Sequence, residues 1–142
     1  MLDELYREII LDHYRSPRNR GELADADTKV RGNNPVCGDE VTLYLKVNDG
    51  AIAEARYTAN GCSISQASSS IMAEALVGRS LDDALALIGE VEGMMRGGAV
   101  PEGPELDDLT ALEGVRKFPA RVKCALLSWE TLKQSINEYR AR

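Results

Sequence analysis

The sequence is poor in aromatic residues, which make up 5% of its 142 residues, and it contains one histidine, His13. Hydrophobic residues nevertheless account for 44% of the chain, which is too many for a disordered protein. We therefore expect residues 1–142 to form one domain around a mostly aliphatic core.

Two further absences restrict the class of protein. No apolar run approaches the roughly 20 residues that a membrane span needs, and residues 1–5 lack the basic start and apolar stretch of a signal peptide. The formal net charge is −6, whereas non-specific binding to nucleic acid needs a basic surface. These features predict a cytoplasmic protein that binds neither membrane nor nucleic acid.

The sequence has three cysteines, Cys37, Cys62 and Cys124, and no Cys-x-x-Cys pair. An odd number argues against a framework of disulfides. In a reducing cytosol, cysteines are more often buried, catalytic or bound to metal. Composition leaves these three alternatives open.

The pattern of apolar residues predicts helices around a small antiparallel sheet. Alternation at residues 41–47, the turn sequence NDG at 48–50 and a returning segment at 51–58 predict a β-hairpin. A short strand is expected near residues 28–31. Helical patterns occur at residues 2–15, 63–77, from Ser80 onward, near 109–113 and at 122–139. This segregation of strands and helices is typical of an α+β fold.

Each cysteine lies where the predicted chain changes direction. Cys37 precedes a strand, Cys62 joins a strand to a helix, and Cys124 falls in the first turn of the last predicted helix. Helix N-termini favour a thiolate, which is the metal-binding form of cysteine, and the neighbouring Arg121 and Lys123 favour it further. Equally, any one of these cysteines can be an ordinary core residue, because free cysteine is among the most buried residue types.

Asp39 adds an oxygen donor to the three thiols. It lies two residues beyond Cys37, so that both side chains can be directed at one ion. Three cysteines and one aspartate make a four-ligand set of the kind that tetrahedral Zn²⁺ accepts. The residues alone thus allow a shared metal site without proving it.

The other polar residues are weaker candidates. His13 lies on the apolar side of the first predicted helix, which favours a packed or partner-facing role over catalysis. Five serines of the predicted helix at 63–77 are interpreted as small residues for close helix packing, namely Ser63, Ser65, Ser68, Ser69 and Ser70. We find no histidine partner in the sequence that would activate one of them as a nucleophile.

Four motifs resemble the SufU-type branch of the IscU/NifU-like iron–sulfur cluster assembly proteins. The resemblance runs from about residue 2 to residue 139. Its motifs are DHY with PRN at 12–19, NNPVCGD at 33–39, GCSIS at 61–65 and KFPARVKC at 117–124.

The resemblance implies a fold and a site. The fold is a three-stranded antiparallel sheet packed against about five helices. The metal ligands are Cys37, Asp39, Cys62 and Cys124, gathered at one exposed end of the molecule. In that family this site binds Zn²⁺, and the alternative occupant is iron or an iron–sulfur cluster.

Three departures from the scaffold-type IscU pattern favour the SufU branch. Lys123 stands where IscU proteins have a histidine directly before the last cysteine. Residues 118–123 read FPARVK where IscU proteins have the chaperone-docking segment LPPVK. Extra residues are also present around 96–113, as in SufU proteins.

The SufU resemblance implies a zinc-dependent sulfurtransferase. It would accept persulfide sulfur from a pyridoxal-phosphate-dependent cysteine desulfurase of the SufS type and pass it to downstream iron–sulfur assembly proteins. Cys37, beside Gly38 in a loop, is the predicted acceptor, and Arg121 is placed at the edge of the site.

Two alternative functions stay open, so that an enzymatic role is not fixed by the sequence. One is a scaffold on which a [2Fe–2S] or [4Fe–4S] cluster is built, which cysteine ligation also supports. The other is a binding module with purely structural zinc that activates the desulfurase by docking.

Overall fold

The computed structural model describes residues 4–35, 38–103 and 106–142, without the side chain of Leu5. These residues form, in chain order, α1 (Glu4–Arg15), β1 (Thr28–Asn34), β2 (Asp39–Asn48), β3 (Ala51–Asn60), α2 (Ser63–Leu76), α3 (Leu81–Met95), α4 (Leu109–Val115) and α5 (Pro119–Arg140). The predicted α+β fold with one small antiparallel sheet and five helices is confirmed. None of the helices in the described ranges has the length and hydropathy that crossing a membrane requires.

The three strands form one antiparallel sheet in the order β1-β2-β3. Asp49 and Gly50 adopt positive φ angles of 52° and 76° in the turn between β2 and β3, as a tight hairpin requires. At the other end of the sheet, Asn34 pairs with Asp39, and Glu40 pairs with Asn60. The register therefore brings the β1–β2 connection and the end of β3 to the same end of the sheet.

One face of the sheet is apolar, and α2 and α5 pack against the sheet. Alternate residues of β2 point into this layer and are buried, namely Val41, Leu43, Leu45 and Val47. Trp129 of α5 is fully buried in the same apolar cluster. Burying one large apolar side chain contributes roughly 1.5–3 kcal/mol, so this layer holds both helices firmly against the sheet.

Residues recognisable in the sequence set the ends of α2 and α3. Gly78 has a φ of +91° shortly after α2 ends at Leu76, a conformation that glycine adopts at low cost. Ser80 caps α3, because its hydroxyl accepts a hydrogen bond from the backbone N–H of Asp83 at 3.0 Å. Serine is among the preferred residues at this position.

The last helix begins earlier than the sequence predicts. It starts at Pro119 rather than near Val122, because the fixed φ of proline suits the first helical position, where an N–H has no intrahelical acceptor. Cys124 is therefore the sixth residue of α5 and lies in its second turn. The prediction that Cys124 lies in the first turn is wrong, because Cys124 comes after the first four residues of the helix, which are the ones without an intrahelical i−4 acceptor.

Candidate metal centre

Asp39 joins the start of β2 to the junction between β3 and α2. Its side chain is 2% exposed. Oδ1 accepts a hydrogen bond from the backbone N–H of Cys62 at 2.9 Å, and Oδ2 lies 3.5 Å from the Cys62 Sγ. The carboxylate is thus held next to a thiol that is 23 residues away in the sequence.

Gly61 makes this close approach possible. A Cβ atom at position 61 would lie 2.1 Å from Asp39 Oδ1 and 2.7 Å from its carboxyl carbon, and the φ of Gly61 is +144°. Both the contact and the backbone conformation exclude an ordinary side chain. Gly61 therefore fixes where the Asp39 carboxylate can lie.

Cys62 is the N-cap residue of α2. Its backbone is extended, with φ −71° and ψ 164°, and its Sγ accepts a hydrogen bond from the Ser65 N–H at 3.4 Å. Serine, threonine, asparagine and aspartate are the usual residues here. A thiol at this position points sulfur toward unpaired N–H groups, which stabilise negative charge on it. The prediction that Cys62 lies at a helix N-terminus is confirmed.

Two side chains that the sequence analysis missed support the turn before Cys62. Gln66 donates a hydrogen bond from Nε2 to the Gly61 carbonyl at 3.0 Å. Arg20 donates to Gln66 Oε1 at 3.3 Å and to the Ala59 carbonyl at 3.1 Å. Arg20 comes from the segment before β1, so no local pattern in the sequence identifies this bracing.

Cys124 completes the described part of the site. It is 1% exposed, and this burial also agrees with the alternative that Cys124 is an ordinary core residue. One ligand atom from each of Asp39, Cys62 and Cys124 nevertheless lies within 4.8 Å of the others. The structure therefore brings three of the four predicted ligands together. The fourth, Cys37, lies outside the described residues.

The donor set suits zinc. A carboxylate oxygen and two cysteine sulfurs are donors that Zn²⁺ binds, and a tetrahedral site needs one more ligand. Cys62 is half-buried whereas Asp39 and Cys124 are buried, so the group is closed on the protein side and reachable through Cys62. The residues present fit a metal ion of this class.

Arg121 and Lys123 belong to the beginning of α5, shortly before Cys124, and neither is part of the donor group. Both side chains are exposed. Lys123 lines an open cleft of ≈ 310 Å³, which it shares with residues of β1 and α5 and with Pro35. These two residues therefore place positive charge on the exposed surface at the beginning of α5.

The expectation that the serines lack a histidine partner is wrong for Ser70. His13 Nδ1 lies 2.7 Å from Ser70 Oγ, and His13 Nε2 lies 2.6 Å from Asp108 Oδ2. Both His13 and Ser70 are fully buried, so Ser70 has no access to a substrate as a nucleophile. The prediction that His13 has a packed role is confirmed.

Comparison with known proteins shows the family. The family model described as the NifU-like N terminal domain matches residues 5–142. The chain belongs to this family, and the resemblance drawn from the four sequence motifs is confirmed.

Characterised relatives carry two different names. The "Zinc-dependent sulfurtransferase SufU" of Bacillus subtilis is 44% identical over 135 residues, covering 95% of this chain and 91% of the relative. The "Iron-sulfur cluster assembly scaffold protein IscU" of Thermotoga maritima is also 44% identical, over 134 residues and 94% of both chains. Identity alone therefore does not separate the two roles.

Solved structures share the fold. A putative iron–sulfur cluster assembly scaffold protein for the SUF system from Fervidobacterium islandicum superposes with a TM-score of 0.84 at 34% identity, covering 91% of this chain and 94% of the other. A NifU-like N-terminal protein from Brucella abortus gives a TM-score of 0.90 at 30% identity, covering 99% and 97%.

Proposed function

We propose that this chain is a zinc-dependent sulfurtransferase of iron–sulfur cluster assembly in the cytoplasm. It accepts persulfide sulfur from a pyridoxal-phosphate-dependent cysteine desulfurase and passes that sulfur to downstream assembly proteins. Its site consists of Cys37, Asp39, Cys62 and Cys124, with Zn²⁺ as the resident ion.

The observation that carries the proposal is the assembly of Asp39, Cys62 and Cys124, with donor atoms within 4.8 Å of one another. These residues come from a strand, a helix cap and a different helix, and the Gly61 and Gln66 contacts hold the cap in place. A purely packed role for the cysteines does not account for a buried carboxylate between them. When bound, zinc holds the cysteine sulfurs as thiolates.

Chain connectivity keeps Cys37 within reach of this group. Asn34 and Asp39 pair across the sheet, and the Gly38 N–H donates to the Asn34 carbonyl at 2.7 Å. Covalent geometry limits two consecutive residues to a span of about 7 Å. Cys37, two residues before Asp39, is therefore available as the fourth ligand.

The sulfur-transfer step uses one thiolate and one persulfide. The Cys37 thiolate attacks the outer sulfur of the desulfurase persulfide and forms a new S–S bond. The bond between the two partner sulfurs breaks, and the partner cysteine leaves as a thiolate. The step needs no outside oxidant or reductant, because one persulfide is consumed and one is formed.

Cys37 suits the acceptor role better than the other two cysteines do. Cys62 is tied to Ser65 and Asp39 by hydrogen bonds, and Cys124 is almost completely buried in α5. The exposed Arg121 and Lys123 supply positive charge that favours an approaching thiolate or persulfide. Arg121 is assigned to the edge of the site, where it orients the Cys37 loop or contacts the partner.

A cluster scaffold is the second candidate, and the 44% identity to the Thermotoga maritima IscU favours it. Against it, position 123 holds a lysine, whose ammonium group is a donor of hydrogen bonds and not a metal ligand. Lys123 is also exposed on the surface cleft. A sulfurtransferase therefore accounts for Lys123 better than a cluster scaffold does.

The test is to trap the transferred sulfur. The zinc-loaded protein is mixed with a cysteine desulfurase and cysteine without air, quenched with an alkylating agent and mapped by peptide mass spectrometry. We expect one extra sulfur on the Cys37 peptide. Extra sulfur on the Cys62 or Cys124 peptide with Cys37 unmodified would overturn the acceptor assignment, and its absence from all three would overturn the transferase.

A further inference from the structure

A second group of possible metal donors lies among His13, Glu74 and Asp108. One ligand atom from each lies within 4.8 Å of the others. His13 belongs to α1, Glu74 to α2, and Asp108 directly precedes α4. None of these residues belongs to the cysteine site, and the proposed sulfur transfer uses none of them.

The histidine in this group is held in one orientation. Its ring is 0% exposed, with Nδ1 2.7 Å from Ser70 Oγ and Nε2 2.6 Å from Asp108 Oδ2. Metal-binding histidines almost always make a hydrogen bond through the ring nitrogen that does not touch the metal. Ser70 supplies that contact here, which leaves Nε2 facing the two carboxylates.

The two carboxylates keep the group open to solvent. Asp108 and Glu74 have side-chain exposures of 36% and 40%, so an ion can enter from their side while His13 closes the protein side. One nitrogen and two carboxylate oxygens form a harder donor set than cysteine thiolates, and such a set suits Mn²⁺ or Fe²⁺.

The positively charged side chain of Arg18 contacts one of these carboxylates, that of Glu74. Its Nε lies 3.4 Å from Glu74 Oε2, whereas its terminal nitrogen lies 2.7 Å from Asp12 Oδ2. The shorter ion pair is the one with Asp12, outside the donor group. Arg18 therefore keeps its closer partner when a divalent ion takes Glu74.

The buried hydroxyl groups around His13 can rearrange their hydrogen bonds when a metal ion binds to the ring. Without a metal, Ser70 Oγ accepts a hydrogen bond from the Arg18 backbone N–H at 2.9 Å. The Ser70 hydroxyl hydrogen is therefore available to His13 Nδ1. The ring hydrogen of His13 is then on Nε2, which donates to Asp108. A metal at Nε2 requires the ring hydrogen on Nδ1 and a new acceptor for the Ser70 hydroxyl. Tyr57 Oη is buried without a hydrogen-bond partner among the described residues.

Tyr57 lies close enough to Ser70 for this role. Burial raises the pKa of Tyr57, and the neighbouring Ser70 hydroxyl opposes the rise. The two hydroxyls are therefore neighbours, and the Tyr57 Oη is free to accept a hydrogen bond. Rotation of the Ser70 hydroxyl toward Tyr57 gives the Ser70 hydrogen an acceptor in the Tyr57 Oη.

We propose that His13, Glu74 and Asp108 form a second site, specific for a divalent first-row metal ion with a preference for nitrogen and oxygen donors. The ion would link α1, α2 and the segment before α4. It would stabilise the fold independently of the cysteine site.

The test uses untagged protein whose cysteine site is filled with zinc. Mn²⁺ is added as the probe, because it competes poorly with zinc for thiolates. His13 is the single histidine of the chain, so its ring signals in proton NMR are assigned directly, and an ion bound to this ring should broaden them more than the signals of other side chains. We expect saturable broadening of these signals at one equivalent of Mn²⁺, together with a higher melting temperature.

Two variants distinguish a specific Mn²⁺ site from non-specific attraction of the cation to an acidic protein. Glu74→Gln removes one ligand and should weaken Mn²⁺ binding at least tenfold. Glu54→Gln makes the same change at an exposed carboxylate of β3, which pairs with Arg56 and not with Arg18, and it should change the affinity less than about twofold at moderate salt. Broadening that does not saturate, or that is unchanged in Glu74→Gln, would overturn the second site.

Discussion

The Asp39 carboxylate accepts a hydrogen bond from the backbone N–H of Cys62 at 2.9 Å, across the end of the sheet. This contact places an acidic oxygen beside a helix-capping thiol before any metal is bound. It depends on the absence of a side chain at Gly61. The proposed metal site is therefore shaped by the backbone as well as by its candidate ligands.

Gly61→Ala should weaken zinc binding about 10–100-fold, as loss of a residue that orients ligands typically does. The added Cβ would lie 2.1 Å from Asp39 Oδ1, so the carboxylate must move away. Competition with a zinc chelator measures the effect. Gly50→Ala is the matched control, because Gly50 also has a positive φ but nothing lies within 4 Å of the added carbon. Equal zinc affinities of the two variants would refute the positioning role.

Asp39→Ala should leave the fold intact while changing the rate of metal exchange. The substitution leaves the Cys62 N–H without its carboxylate acceptor, at a cost of about 1–3 kcal/mol, which a folded domain of this size tolerates. Circular dichroism and zinc release to a chelator measure the two properties. A variant that fails to fold would instead favour purely structural zinc and a docking role for the protein.

Ser68→Ala should destabilise the protein by about 1–3 kcal/mol. The Ser68 hydroxyl donates to the Ala125 carbonyl at 2.6 Å and accepts from Trp129 Nε1 at 3.1 Å, so it ties α2 to α5 beside Cys124. Urea unfolding followed by fluorescence of the single tryptophan measures the loss. Ser63→Ala, at a half-buried position, is the control, and the idea fails when both variants unfold at the same urea concentration.

Asp12 should stabilise the folded protein at neutral pH and should lose this contribution at acidic pH. Its hydrogen bond and ion pair with Arg18 lower the pKa of the Asp12 carboxyl below 3.8. The contribution is therefore present above the unfolded pKa and is lost as the pH falls through the lower folded pKa. Because both side chains are partly exposed, the effect is small.

Urea midpoints measured at about pH 5 and about pH 3 check this expectation. The difference between the two pH values should be smaller in Asp12→Asn than in the parent protein. An equal difference in both proteins would show that the ion pair with Arg18 does not contribute.

Local patterns in the sequence predicted most of the fold. Alternation in β2, the Asp49-Gly50 turn and the Ser80 cap each depend on neighbouring residues, and all three are confirmed. The start of α5 was missed because the helical pattern of apolar residues begins after Pro119. The ligand positions came from the family motifs and not from spacing, since the cysteines are separated by 24 and 61 residues.

Contacts between distant segments could not be predicted. Ser70 and His13 are 57 residues apart, and neither helix shows in its own sequence which residue faces the other. The fit of Asp39 against Gly61 likewise depends on the register of β2 and β3. The assignment of Cys37 as sulfur acceptor stays a prediction, because Cys37 lies outside the described residues.

The most direct test of the central claim is the metal and acid-labile sulfide content of the protein purified without air, alongside the Cys37→Ser variant. We expect about one zinc per chain and no labile sulfide, as a tetrahedral site of three cysteines and one aspartate implies, with weaker zinc retention in the variant. Iron with a matching amount of labile sulfide would contradict the sulfurtransferase and indicate a cluster scaffold.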